Sequence, residues 1–167
     1  MNSKLHLLDN TLKNLLVAYL LLLTVAVLVG LVFLKQSTNA TVGGTIERWN
    51  GSESIKPIEP FDIPENYPKP INEMLLTTHN HLFGFALIFI SVGIIFYFNS
   101  TIKGFWRSFL IIEPFISAVI TFGSIWLMRF VSEYFVYLAI ISAVIMYGSF
   151  FIMAGICIYE LKIKNAE

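Results

Sequence analysis

Four apolar runs, each long enough to cross a bilayer, take up most of this 167-residue chain. They fall at about 14–34, 78–98, 105–128 and 135–159. A hydrocarbon core about 30 Å thick requires ~20 helical residues at a rise of about 1.5 Å each, and every run meets that length. With their flanking turns, the predicted helices are 14–34, 72–98, 105–129 and 132–160, and the one long connection is 35–71. The expected fold is therefore all-α: an integral membrane antiparallel four-helix bundle with one long outer loop, residues 1–167 forming a single transmembrane domain.

Charge supports the membrane assignment. Only 13% of residues are charged, against ~25% in a typical soluble domain. Eleven basic and eleven acidic residues cancel, and no Lys/Arg cluster tracks a phosphate backbone, so nucleic acid is not an expected partner. The single Cys157 excludes an internal disulfide and reads as a small buried hydrophobe. The first run exceeds the ~7–15 apolar residues of a secretory signal, so an uncleaved first helix is expected.

Orientation follows from the basic residues near the ends of the runs. Lys4, Lys13, Lys103, Arg107, Lys162 and Lys164 fall outside the long loop. The positive-inside rule then places both termini in the cytoplasm, and residue usage rich in Ile, Asn and Phe suits a bacterial inner membrane. The loop itself is punctuated by Pro57, Pro60, Pro64, Pro68 and Pro70 after a turn at residues 49–52. Spaced prolines favour extended backbone, so the loop is expected to lie over the bundle as an extended lid.

Polar groups inside a membrane are costly and point to function. Near the start of the second helix stand His79 and His81, with Asn72 as the expected N-cap and Glu73 in the first turn. Residues i and i+2 are about 200° apart on a helix, so the two imidazoles point in opposite directions. With Met128 they are candidate ligands for haem b or copper at the outer face, and His79 and His81 are the candidate metal ligands. No other apolar run holds a histidine, so a His–Met pair, a partner protein or a second copy would complete that site. The plainer reading is hydrogen bonding between helices.

The third helix carries Glu113, Ser117, Thr121 and Ser124 at spacings of 4, 4 and 3, a continuous polar stripe. An unpaired carboxylate at the depth of Glu113 is expensive, so this side chain calls for a proton, a partner or a wet cavity. Pro114 beside it removes one backbone donor. The fourth helix has a matching stripe of Ala139, Ser142, Met146, Ser149 and Met153, so these two helices are expected to face each other. The sharp reading is a proton or small-solute path centred on Glu113 and leading toward His81. Small-residue packing is the plainer one. Tyr19 and Met153 are expected in the same inner layer as Glu113, and Arg129 and Glu133 are expected to form an ion pair at the outer rim.

Phosphate-cradling glycine loops, metal-binding H-E-x-x-H helices, G-x-S-x-G elbows and C-x-x-C-H haem attachment are all missing from the sequence. Nor is there a paired acid and base of catalytic type. The segment Glu73-Met-Leu-Leu-Thr-Thr-His-Asn-His-Leu-Phe-Gly-Phe, with Ile112-Glu113-Pro114-Phe115 downstream, resembles small uncharacterised bacterial inner-membrane proteins with a Thr-x-His motif opening the second helix. The resemblance implies the four-helix layout and an association with respiratory or metal-handling membrane systems. The expected function is a non-catalytic membrane subunit or accessory protein, in contact with the lipid bilayer and assembled as a homo-oligomer or within a larger membrane complex. Haem b or copper would serve electron transfer or cofactor handling. The Glu113 pathway and a purely structural subunit are the alternatives.

Overall fold

Each apolar run becomes a helix that outlasts the hydrocarbon core. The computed structural model describes residues 4–52 and 64–164. A 3₁₀ turn at Leu5–Leu7 precedes α1 (Asn10–Thr38), α2 (Val42–Asn50), α3 (Ile71–Tyr97), α4 (Phe105–Phe130) and α5 (Phe135–Lys162). Helices α1, α3, α4 and α5 are long and apolar enough to span a membrane, and no strand occurs among the described residues. At 26 to 29 residues they run about 40 Å each.

Local chemistry sets the ends. The Asp9 carboxylate accepts from the backbone N–H groups of Thr11 and Leu12 at 3.0 Å, so α1 begins several residues before its apolar stretch. Helix α3 corrects the expected cap: Pro70 takes that position and Asn72 falls within the first turn. Proline's fixed φ prepares the helix, and its missing N–H costs nothing where that donor is unpaired anyway. Glu73 does lie in the first turn, bound to Lys69 at 2.9 Å.

Contacts between helices show their directions. Thr121 pairs with Ser142 and Glu113 with Ser149, so α4 and α5 run antiparallel. Likewise Trp126 meets Thr78, and Phe115 meets Phe89, so α3 and α4 are antiparallel. Asn14 near the start of α1 accepts from Lys162 near the end of α5. The described ends of the chain thus share one end of the bundle, and α2 lies at the other. The α4–α5 pair is the most extensive, while α1 packs mainly on α5 and α2. In its most apolar stretch only 17% of α1 is buried against 44% of α4, leaving a lipid-facing outer helix.

The long loop departs from the expected extended lid. Its first half folds into α2, where Thr41 Oγ1 accepts from Gly44 N at 2.9 Å as the N-cap. Val42, Ile46 and Trp49 fall at i, i+4 and i+7, giving a short helix one apolar face. That face joins Met74, Met128 and Val136 in a second apolar cluster at the loop end of the bundle. A bend at 65–66 follows Pro64, residues 67–70 form neither helix nor strand, and Pro70 is extended at φ −68° and ψ 153°. Pro57 and Pro60 lie outside the described residues. Ser52 N donates to Asn66 O at 2.9 Å and Lys69 N to Trp49 O at 3.0 Å, so the two described limbs of the loop are stitched together.

Candidate functional site

Glu113 begins about 12 Å along α4 from the end shared with the chain termini, at eight residues of helical rise. The i, i+4 spacing turns it, Ser117 and Thr121 to one side, and that side is buried against α5. Ser117 donates to Glu113 Oε1, and Ser149 of α5 donates to Oε2 at 2.7 Å. Each carboxylate oxygen therefore has one hydroxyl partner, and the side chain is 8% exposed. Among the described residues the one ion pair is Lys69–Glu73, at the far end, so no cation neutralises Glu113.

Two turns further along α4 a second knot forms. Thr121 and Ser142 hydroxyls lie 2.8 Å apart, while Thr121 also reaches Ser117 O at 2.7 Å and Ser142 reaches Leu138 O at 2.7 Å. Two hydroxyl hydrogens serve three such links, so these hydrogens can exchange acceptors. Ser124 is buried on the same face of α4. The polar stripes of α4 and α5 thus meet in one seam.

The seam adjoins the lipid side through a crevice of about 390 Å³ between α4 and α5. Its walls include Trp106, Leu110, Ile145 and Ile152, and Gly148 beside Ser149 leaves the notch. Ser149 lies in the crevice wall and also bonds Glu113.

The histidines are placed otherwise. Both are exposed. His79 stacks on Phe83 at 6.5 Å, whereas His81 packs against Phe122 of α4 at 5.3 Å and Phe85 at 6.2 Å. His81 Nδ1 lies 2.8 Å from Thr77 O; a carbonyl only accepts, so Nδ1 donates. Met128 is buried in the loop-end cluster beside Met74 and Trp49. No cluster of three or more His, Cys, Asp or Glu able to hold a metal ion occurs among the described residues.

Tyr19 of α1 donates its hydroxyl to Ser91 of α3 at 2.6 Å, since α1 lies outside the α4–α5 seam. One expected contact is corrected. The Arg129–Glu133 ion pair does not form among the described residues. Arg129 instead stands over the Phe130 ring at 5.3 Å with its buried Nε unpartnered. The helix stops at Phe130, and Glu133 lies beyond it, where i, i+4 proximity no longer holds.

Glu160 escaped sequence reasoning. Fully buried near the end of α5, it accepts from Ser100 N at 2.7 Å, Ser100 Oγ at 3.1 Å and Thr101 Oγ1 at 2.5 Å. It ties the α3–α4 turn to α5. The available signal was an acid at the end of the last apolar run, opposite an Asn-Ser-Thr turn.

Comparison with curated proteins and with solved structures finds no match. A family model described as a transmembrane helical domain matches residues 39–167, which takes in α2 to α5 and leaves α1, the least buried spanning helix, outside. The chain belongs to that transmembrane helical domain family.

Proposed function

We propose that this multi-pass membrane protein works by binding and releasing a proton at Glu113, as part of a proton or small-solute pathway along the α4–α5 seam. The observation that carries it is a buried carboxyl whose described partners are hydroxyls, Ser117 and Ser149, with no cation. Hydroxyls donate to a carboxylate and accept from a carboxylic acid, so both charge states keep their partners. Packing alone does not require an acid there, and intramembrane carboxyl groups mark proton relays by default. The protein is non-catalytic in this reading. It sits in a bacterial inner membrane with both termini cytoplasmic, since six of its eleven basic residues gather at the terminal end. The α1 flank and the lipid-facing crevice are the surfaces for a second copy or a larger complex.

A lipid-soluble carbodiimide tests the reading, because the crevice leads from lipid to Ser149. Modification of the wild type at Glu113, lost in Glu113→Gln, together with proton flux in proteoliposomes that the same substitution abolishes, is the expected result. Flux unchanged by Glu113→Gln sinks it.

A second reading keeps haem b or copper at the outer rim. Its support is the exposed His81 ring, whose Nδ1 is held by Thr77 O and whose Nε2 is therefore the nitrogen left to a metal, a common arrangement at metal sites. A second copy or partner would supply the further ligand. A Soret band or bound copper lost in His81→Ala is the expected sign, and colourless, copper-free protein purified from respiring cells counts against it.

A further inference from the structure

The end of the bundle that holds both described chain ends carries a polar cleft of about 390 Å³ between the start of α1 and the end of α5. It is lined by His6, Asn10, Lys13, Asn14, Lys162 and Lys164. Each ammonium group is anchored by a neutral oxygen: Lys13 Nζ to His6 O at 2.7 Å, Lys162 Nζ to Asn14 Oδ1 at 2.8 Å, Lys164 Nζ to Ser100 Oγ at 3.0 Å. These bonds position three positive charges without cancelling them, and none of the three is in an ion pair among the described residues. Of the neighbouring carboxylates Asp9 is turned away, whereas Glu160 meets Lys164 only through the shared Ser100 hydroxyl. Asp9 caps α1 through Thr11 N and Leu12 N, and Glu160 is occupied by Ser100 and Thr101.

Toward the membrane on the same helix faces, Leu21 of α1, seven residues past Asn14, is exposed and Ile158 of α5, four residues before Lys162, is partly exposed. Fixed cations at the helix ends with apolar shafts directly above them match a molecule with an anionic phosphate at one end and hydrocarbon at the other. Basic pockets between spanning helices at the cytoplasmic side bind anionic headgroups on this principle. We propose that this cleft binds the phosphate of an anionic glycerophospholipid, its acyl chains lying along α1 and α5. The lipid would bridge α1 to α5 beside the direct Lys162–Asn14 bond. A free phosphate ion shares the headgroup chemistry but gains nothing from the apolar shafts, which favours the lipid as the source.

Native mass spectrometry of the full chain in detergent tests this, with phosphatidylglycerol, phosphatidylcholine and inorganic phosphate added in separate arms. Phosphatidylglycerol retained at least tenfold better than phosphatidylcholine is expected. Lys13→Gln/Lys162→Gln/Lys164→Gln should weaken that retention by roughly a hundredfold, about fivefold per lysine. Lys13→Arg/Lys162→Arg/Lys164→Arg should keep it, and Lys103→Gln, outside the cleft, should leave it unchanged. Equal retention of the two lipids in the wild type overturns the proposal without any variant. So does an undiminished triple glutamine variant, or a Lys103→Gln loss as large as a cleft lysine's, which would reduce the effect to diffuse charge. Phosphate ion competing away the lipid at equal concentration would assign the site to the free ion instead.

Discussion

Ser149 of α5 donates its hydroxyl to Glu113 of α4 across 2.7 Å, within the most extensive helix pair. This bond joins the two polar stripes and sets Ser149 between the buried carboxyl and the lipid-facing crevice. Ser149→Ala removes the donor and leaves a buried oxygen one partner short. Thermal unfolding in detergent should show a loss of about 1–3 kcal/mol. Ser117→Ala should act in the same direction, and the double variant should differ from the sum, because both hydroxyls share one carboxyl group. A strictly additive pair would mean that Glu113 does not couple them.

Glu160 is the stronger structural acid. Glu160→Ala removes the acceptor shared by Ser100 N, Ser100 Oγ and Thr101 Oγ1 at the half-buried turn, and about 1–3 kcal/mol of stability should be lost. Glu160→Gln keeps the shape and one acceptor oxygen, so it should recover part of that loss. Proteolysis within the 98–104 turn provides an independent readout, rising in the alanine variant.

The α1–α2 junction turns on two adjacent backbone demands. Asn39 and Ala40 both have positive φ, 52° and 53°, which costs a residue with a Cβ about 1 kcal/mol. Ala40→Gly should therefore stabilise by about that amount. Gly44→Ala should do the opposite, since its new Cβ would overlap the Thr38 carbonyl, a backbone group that cannot swing away. A loss of about 2 kcal/mol is expected, with the loop-end cluster loosened around Trp49. Fluorescence of Trp49, read against a Trp49→Phe control, follows that loosening.

An even number of spans puts the chain ends on one face and the loop on the other. Cys157 is buried, so a Cys157→Ser background is silent toward thiol reagents. In it, Leu7→Cys and Tyr67→Cys, both at exposed positions, should be labelled by a membrane-impermeant maleimide from opposite sides of the membrane. Labelling of both from one side would remove the four-span arrangement.

Cation–π contacts pin the side of α2 that lies outside its apolar cluster. The Arg48 guanidinium stands over Phe33 of α1 at 5.0 Å and its own neighbour Trp49 at 5.7 Å. Partial burial draws its pKa below the usual arginine value, and a lysine would lose the planar stacking. Arg48→Lys should cost about 0.5–1 kcal/mol in the same unfolding assay.

Hydropathy alone determined the four spans, because their length and apolar content answer to a bilayer and not to any neighbour. Helical periodicity alone also put Glu113, Ser117, Thr121 and Ser124 on one face and Ser142 with Ser149 on another, since azimuth along a helix depends only on residue spacing. Which faces meet, and at what register, belongs to the tertiary structure. Lipid and protein interior are equally apolar, so composition does not say whether Tyr19 turns to Glu113 or to Ser91. The same limit hid Glu160, whose partners lie 59 and 60 residues away. In α2 the failure was different: a nine-residue helix is too short to be stable by propensity, and its apolar face gains its energy only by resting on Met74, Met128 and Val136.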